Sequence, residues 1–573
     1  MINLLEFKKE NVLKNEIIKY KKITNVISIT RLVLALNLIV WCLCLFSLEN
    51  YKLYSILSII SFIALIVFVI LTNKYFSKYE LLNNKQRVYS LHHKRRDLDF
   101  SGLLDTGSDL IDINDYKQAD LDLFGQKSLF QLITSARTKT GRIRLANELT
   151  NPSLKNDEYT ECVKLLSENE EVINIESALQ QFDNEAKGID YHELMSVSNQ
   201  KIKFKLLFLI PIIMYLASII YLILSLVNGY NIYLTLLLIM IEFVCARICF
   251  NNNIFSLNAT KYSNLCSSYI LVSKEILNIN INNTFYKEIK ENIASELDNL
   301  IKLKNIYNTL SSRKNTIANF ILNVLCLYDL WIIVIYNLYT KKIEKLNKII
   351  DSVAAVEVLI SLSNIGIDFK NYCVPNRNDR IDAKGMYHPL VKECVENDFM
   401  LSGGVVLTGS NMSGKTTFMR TLAINQILFN AGGLVCANEY SSFYMPIYTS
   451  LRANDMLQEG ISTFYAEILR MKKINEAINE KRCLIFIDEI FKGTNASERI
   501  EASIQVINKL NSKNALFIIS THDFELCSCE NILNYHFSEE YIDNKIKFDY
   551  KISSGKCKST NALYLLKMSN IIE

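Results

Sequence analysis

The chain has 573 residues, half of them hydrophobic, with a formal net charge of +4 and a mean hydropathy of +0.13. That hydropathy is high for a soluble protein, and so small a net charge excludes a strong polyanion surface over the chain as a whole. The 14 cysteines include no Cys-x-x-Cys pattern, and several (Cys42, Cys44, Cys245, Cys249) lie in apolar runs, so they predict reduced thiols, a cytosolic catalytic part and no zinc site.

In chain order, residues 1–31 are a basic N-terminus with lysines from Lys8 to Lys22 and Arg31 at its end. Two apolar runs follow, 32–48 and 53–71, joined by Glu49-Asn50-Tyr51-Lys52. Two more lie at 206–227 and 232–249, joined by Asn228-Gly229-Tyr230-Asn231. A bilayer core needs roughly 20 apolar residues of helix, so the runs predict two transmembrane hairpins, over 32–72 and 201–250. The alternative is that they are buried core helices. Lysines and arginines crowd the outer flanks (Lys74 to Arg96, and Lys201, Lys203, Lys205) while the short connectors are nearly uncharged. The positive-inside rule then predicts a multi-pass cell-membrane protein with four helices in lipid and both termini in the cytoplasm. Glu242 and Arg247 in the fourth run would each cost roughly 2.5–3.5 kcal/mol at a bilayer centre. Arg247 can snorkel from the helix end; Glu242 pairs within the bundle or marks where the helix leaves lipid. The run His92-His93-Lys94-Arg95-Arg96 is expected on anionic lipid headgroups in preference to DNA phosphates. Residues 282–312 mix Lys, Glu and Leu/Ile at helical spacing, which predicts a long helix with a solvated face. Residues 320–338 contain Asn323, Asp329 and Asn337, which favours a buried soluble helix over a fifth span.

The last third carries the chemistry. Residues 404–408 read as a buried strand and 418–428 as an apolar helix. Between them, Gly409-Ser410-Asn411-Met412-Ser413-Gly414-Lys415-Thr416-Thr417 fits the phosphate-loop pattern Gly-x-x-x-x-Gly-Lys-[Ser/Thr]. Loop N–H groups and the helix N-terminus suit a triphosphate. Lys415 would reach the β- and γ-phosphates, and Thr416 would offer its hydroxyl to Mg²⁺. The apolar run 483–487 delivers Asp488 and Glu489 at a strand tip. Asp488 would hold Mg²⁺, and Glu489 would orient or deprotonate the attacking water. A third strand, 515–519, ends in Ser520-Thr521-His522, where His522 could contact the γ-phosphate. ATP and Mg²⁺ are the cofactors these residues predict.

Together these elements resemble the MutS family of DNA mismatch-repair ATPases, within the ABC-type ATPases. Asn411-Met412 and Gly414-Lys415 match the family's phosphate loop, while Ser410 and Ser413 depart from it. Ser462-Thr463-Phe464 with Glu467 matches its Ser-Thr-Phe-x-x-Glu motif. Asp488-Glu489-Ile490 with Gly493-Thr494, Thr521-His522, and His388-Pro389 with Asn397-Asp398 follow the family as well. Tyr550 falls near the adenine-stacking position. Asp120-Leu121-Asp122-Leu123-Phe124-Gly125 and residues 138–149, closed by Asn151-Pro152, look like the start of the family's core domain.

The resemblance implies an α/β P-loop (ABC-type) ATPase domain at 376–573, preceded by an all-α MutS-like core at 73–200 and 251–375 that carries the two hairpins. It implies a homodimer through the ATPase domains, in which Ser462 of one copy completes the other copy's site beside Glu489, Lys415 and His522. Residues 1–100 leave no room for a mismatch-reading domain, and no nuclease domain is expected after the ATPase. The function expected is that of a membrane-anchored, Mg-dependent MutS-like ATPase coupled to duplex DNA in a mismatch-repair-like process. The alternative is a membrane-bound mechanochemical or transport-like ATPase that does not bind DNA.

Overall fold

The computed structural model describes residues 2–44, 51–185, 209–228, 232–249, 259–312, 346–410, 412–452, 463–491, 495–513, 515–542 and 545–557. They fall into two compact units. The first comprises 1–91, 171–279 and 292–350, and the second 92–170, 280–291 and 351–573.

The described part of the first unit is helical. Ile2–Cys44 and the start of Tyr51–Arg96 run antiparallel: Trp41 stacks on Tyr54 with ring centroids 6.1 Å apart, and Tyr20 meets Tyr75 at 6.2 Å. Leu13, Ile17, Thr24 and Ile27 are buried along one stripe at heptad-like spacing, the pattern of paired helices. Beyond that stripe the helices turn apolar and stay uncovered. Leu209–Asn228 and Ile232–Cys249 pack on each other and also turn apolar side chains outward, among them Ile213, Ile220, Leu237 and Met240. Ala259–Asn278 packs on Val172–Leu179, and Tyr269 meets the Phe182 ring edge-on at 5.0 Å.

Among the described residues, three helices are long and apolar enough to cross a membrane: Glu10–Cys44, Lys52–Arg96 and Asn347–Asp368, with mean hydropathies of 2.2, 2.8 and 1.6 over their most apolar stretches. Burial separates them. That stretch is 89% buried in the third but only 0% and 11% in the first two. Asn347–Asp368 is therefore a core helix. Its Ser361 hydroxyl accepts from the Ser135 N–H at 2.9 Å, and its Asn364 amide donates to Ile133 O at 2.8 Å. Residues 320–338 and the side chains of Glu242 and Arg247 lie outside the described part.

The described part of the second unit holds two sheets. Their strands are β1 (Asn376–Arg377), β2 (Ile381–Met386), β3 (Asn397–Leu401), β4 (Gly404–Thr408), β5 (Glu439–Ser442), β6 (Ile447–Ser450), β7 (Leu484–Asp488), β8 (Leu516–Ser520), β9 (Ile532–Ile542) and β10 (Lys545–Ser554). The smaller sheet has the order β1-β5-β2-β3 and the larger β10-β9-β4-β8-β7-β6. In the larger, β6, β7, β8, β4 and β9 are parallel and only β10 is antiparallel. Central parallel strands are covered on both faces and read as unbroken apolar runs, and β4 and β8 are buried at every residue. Val406, Ile485, Ile487, Phe517 and Ile519 form one cluster with Ile474, Ala477 and Ile478 of helix Thr463–Glu480 and with Ile507 and Leu510 of helix Ala496–Ser512. Helix Lys415–Asn430 packs on β7 and β8.

The basic run 92–96 does not form a free surface for lipid headgroups or DNA. His92 and Arg95 are each 2% exposed. His92 Nδ1 lies 3.0 Å from both carboxylate oxygens of Asp368, Arg96 Nε lies 3.4 Å from it, and Arg95 donates to Thr134 O at 2.7 Å. Lys94 donates to Ser101 O. A fully buried carboxylate is costly unless cations and donors surround it, and Asp368 draws the run inward.

Candidate functional site

Three segments leave the larger sheet along one edge. β4, β8 and β7 are parallel neighbours, with Leu407 opposite Ser520 and Ser520 opposite Asp488. Loop 409–414 follows β4, Glu489 follows β7, and Thr521-His522 follows β8. In open α/β sheets this carboxyl edge is where ligands bind.

The loop turns through left-handed backbone at Gly409 (φ 147°), Met412 (φ 68°) and Gly414 (φ 104°). A Cβ at Gly409 would come within 2.9 Å of both the Phe537 carbonyl and Ser413 Oγ, so only glycine lets the loop close this tightly. Gly414 caps helix Lys415–Asn430, whose first-turn N–H groups have no partner within the helix. Ser413 Oγ donates to Ser410 O at 2.8 Å, and Ser410 Oγ donates to Glu539 Oε2 at 2.7 Å. These are the two positions at which the loop departs from the family pattern; in this chain they brace it.

Lys415 folds over the loop, its Nζ donating to Gly409 O and Ser410 O at 2.8 Å each. Thr416 Oγ1 donates to Asp488 Oδ2 at 2.8 Å, and Ser520 Oγ donates to Asp488 Oδ1. The two residues expected to share a metal, 72 positions apart in sequence, are thus in direct contact. Glu489 stands in left-handed backbone (φ 57°) with its N–H on Ser520 O at 3.0 Å. Its carboxylate lies 3.2 Å from His522 Nε2. A non-glycine residue in that region costs of order 1–3 kcal/mol and persists where its surroundings hold it.

A cavity of about 630 Å³ opens over this edge, lined by the loop, Thr416, Thr417, Asp488, Glu489 and Tyr550, among others. Tyr550 also has a positive φ, 54°, where β10 slips register between Phe548 and Ile552. Asn397 fixes that irregularity by donating to Tyr550 O at 3.0 Å and accepting from Ile552 N–H at 2.8 Å. The Tyr550 ring lies against Gly414, where an added Cβ would sit 3.2 Å from it. Asn411 and Ser462 lie outside the described residues.

The donor set fits its expected ligands. A threonine hydroxyl and a carboxylate are hard oxygen donors of the kind Mg²⁺ takes. A lysine and a helix N-terminus at a glycine-cradled loop suit phosphate. Sequence reasoning assigned no role to Ser520, Asn397 or Glu539. Ser520 carried a signal as the residue immediately before Thr521-His522, and Asn397 as part of the Asn397-Asp398 pair that follows the family; Glu539 carried none.

An α/β sheet domain with a glycine-turned loop at its carboxyl edge defines the class. Residues 405–573 match the family described as MutS domain V. MutS protein homolog 4 of Homo sapiens is 29% identical over 311 residues, covering 49% of this chain and 32% of that protein. The DNA mismatch repair protein MutS of Clostridioides difficile is 27% identical over 262 residues (43% and 27%). That of Caldicellulosiruptor bescii is 29% identical over 252 residues (40% and 29%). Residues 405–573 thus form a domain of the MutS family, and the similarity to these relatives covers less than half of the chain. The chain spans about a third of the length of the curated relatives it matches.

Proposed function

We propose that this chain is a membrane-anchored P-loop ATPase that binds Mg·ATP at residues 409–417 and hydrolyses it at a site completed by Ser462 of a second copy. The observation that carries the reading is the Thr416–Asp488 contact at the mouth of the glycine loop. Thr416 and Asp488 would hold Mg²⁺, which supplies charge neutralisation at the phosphates. Lys415 would exchange its two loop carbonyls for phosphate oxygens, with its charge kept at the loop mouth. Glu489 orients the attacking water and takes its proton; His522, 3.2 Å away, steadies that carboxylate. Phosphoryl transfer asks little covalent chemistry of the protein beyond such positioning. Tyr550 stacks on the base. Closure of two copies on ATP, and release on hydrolysis, would make the enzyme slow and conformationally coupled.

The uncovered apolar surface of Glu10–Cys44 and Lys52–Arg96 supports seating in a cell membrane, with Leu209–Asn228 and Ile232–Cys249 as the second hairpin and the ATPase domain in the cytoplasm. The relatives' names support coupling to DNA in a mismatch-repair-like process. The inward-facing basic run at His92, Arg95 and Arg96 favours the second reading, a mechanochemical membrane ATPase that does not bind DNA.

The full chain in lipid nanodiscs should release phosphate from ATP only with Mg²⁺. Glu489→Gln should still bind ATP and accumulate as a dimer; a monomeric variant under ATP contradicts the shared site. Duplex DNA titrated at two salt concentrations separates the two readings: stimulation with a steep salt slope supports DNA coupling, and indifference supports the second.

A further inference from the structure

Two arginines of the sheet domain converge on one carboxylate from outside it. Arg452 Nη2 donates to both oxygens of Asp122, at 2.8 and 2.7 Å, and Arg420 Nη1 donates to Asp122 Oδ2 at 3.1 Å. Two residues earlier, Asp120 is fully buried. It accepts from Thr449 Oγ1 at 2.7 Å, Leu451 N–H at 3.0 Å and Arg452 N–H at 3.2 Å. Arg470 closes the cluster, 3.7 Å from Asp120 and donating to Arg452 O at 2.7 Å. Leu121 and Leu123 alternate with the two acids and are completely buried, so the segment is anchored by its leucines while both carboxylates point toward 449–452. Asp122 holds left-handed backbone (φ 51°) to do so, a conformation that needs support from its surroundings.

The two arginines are well placed to matter. Arg420 lies one helical turn beyond Thr416, on the same helix face, and Thr416 holds Asp488. Arg452 is the last described residue before 453–462, the stretch that ends at Ser462. Like charges this close repel, and Asp122 accepts from both. His388 adds no charge to the cluster: burial, and then Arg420, push it down to about 4.

We propose that Asp122 is a positioning residue for nucleotide turnover, a clasp that fixes the phosphate-loop helix and the chain entering 453–462 at one separation. The inference rests on the ATPase reading above and goes beyond it by assigning a control point to the segment before the sheet domain. Through it, a movement of residues 92–170 reaches Thr416 and the path to Ser462 together.

The test uses the full chain in nanodiscs, with Asp122→Asn, Arg452→Met and the pair combined. A fluorescent ATP analogue reports binding, and phosphate release reports kcat and KM. Nucleotide affinity should stay near that of the unsubstituted chain while kcat falls on the order of tenfold in each single variant, as expected of displaced rather than deleted groups. The double variant should be no slower than the slower single, because both break the Arg452–Asp122 contact. Arg452→Lys, which keeps the charge and loses the bidentate grip, should fall between and serves if Asp122→Asn does not fold. Additive losses, an unchanged kcat, or affinity falling in step with kcat would overturn the clasp. Failure of the unsubstituted chain to bind the analogue at all would instead remove the ATPase reading, and the clasp with it.

Discussion

The same residue types meet opposite fates in two regions of this molecule. In β4, Val405, Val406 and Leu407 are completely buried between helices, while in helix Tyr51–Arg96 the comparable Ile59, Ile63 and Ile70 are 59%, 55% and 62% exposed. Helix Asn347–Asp368 sits between the cases: apolar enough to span a bilayer, yet 89% buried by protein. An apolar run states that side chains must leave water. It does not state what replaces the water. Polar neighbours decide that. Glu357, Ser361 and Asn364 on Asn347–Asp368 find partners within the protein, whereas the stretch 53–71 carries no charged residue.

The largest effects are expected at the sheet edge. Asp488→Asn breaks the pairing with Thr416 and Ser520 and removes a charge from the metal position. Phosphate release should fall at least about 100-fold, the scale on which electrostatic groups act on a developing transition state. Activity retained within a few-fold would mean that β4, β7 and β8 do not frame a Mg·ATP site.

Next in size is the exchange of covering media. Ile59→Asp with Ile63→Asp should cost roughly 2.5–3.5 kcal/mol per substitution if the helix centre lies in lipid, and should move the chain from the membrane to the soluble fraction on cell fractionation. Ile518→Asp in β8 should instead unfold the sheet domain, since it leaves a buried charge unpaired. If the two variants fractionate and melt alike, the contrast between the regions collapses.

A smaller effect tests the buried helix. Glu357 accepts from the N–H groups of Arg137 and Thr138 at 2.7 and 2.9 Å and from the hydroxyl of Thr138, the residue that caps helix Lys139–Thr150. Burial pushes its carboxyl up to about 7, against the pull of those hydrogen bonds. Between the ordinary value of 4.5 and about 7, the folded chain keeps a proton that the unfolded chain has lost. Stability therefore falls as pH rises through that window, by at most about 1.4 kcal/mol per unit. Glu357→Gln should flatten this part of the Tm–pH curve. Gly141→Ala, whose Cβ would run into the same carboxylate, should lower Tm at every pH by an overpacking cost of about 1–3 kcal/mol.

What could be read from the sequence followed its local order. Strand 404–408 falls where its short apolar run before the phosphate loop puts it, and β7 and β8 begin and end one residue later than their apolar runs suggest. Lys415, Thr416, Asp488, Glu489 and His522 are gathered by parallel strands whose spacing is legible one segment at a time. Contacts chosen by tertiary packing were not legible. Asp122 and Arg452 are 330 positions apart, His92 and Asp368 are 276 apart, and Ser410 and Glu539 are 129 apart. No periodicity links such pairs, and a basic run such as 92–96 reads as solvated until a buried acid is known to face it.

The smallest expected effect concerns one of those illegible pairs. Glu539 places a carboxylate 2.7 Å from the Ser410 hydroxyl, beside a loop otherwise arranged for anions. A charge there opposes a triphosphate while its hydrogen bond braces the loop, so the two contributions have opposite signs. Glu539→Gln keeps an acceptor for Ser410 and removes the charge; ATP affinity should rise about threefold, and the gain should shrink with added salt as screening takes over. Ser410→Ala removes the brace and leaves the charge; affinity should fall, by about 0.5–1.5 kcal/mol for one lost hydrogen bond. Both variants weakening binding equally would show that the brace alone matters. Both strengthening it would show that the loop binds better unbraced. Only opposite signs fit a loop that the sheet domain holds through a repelling group.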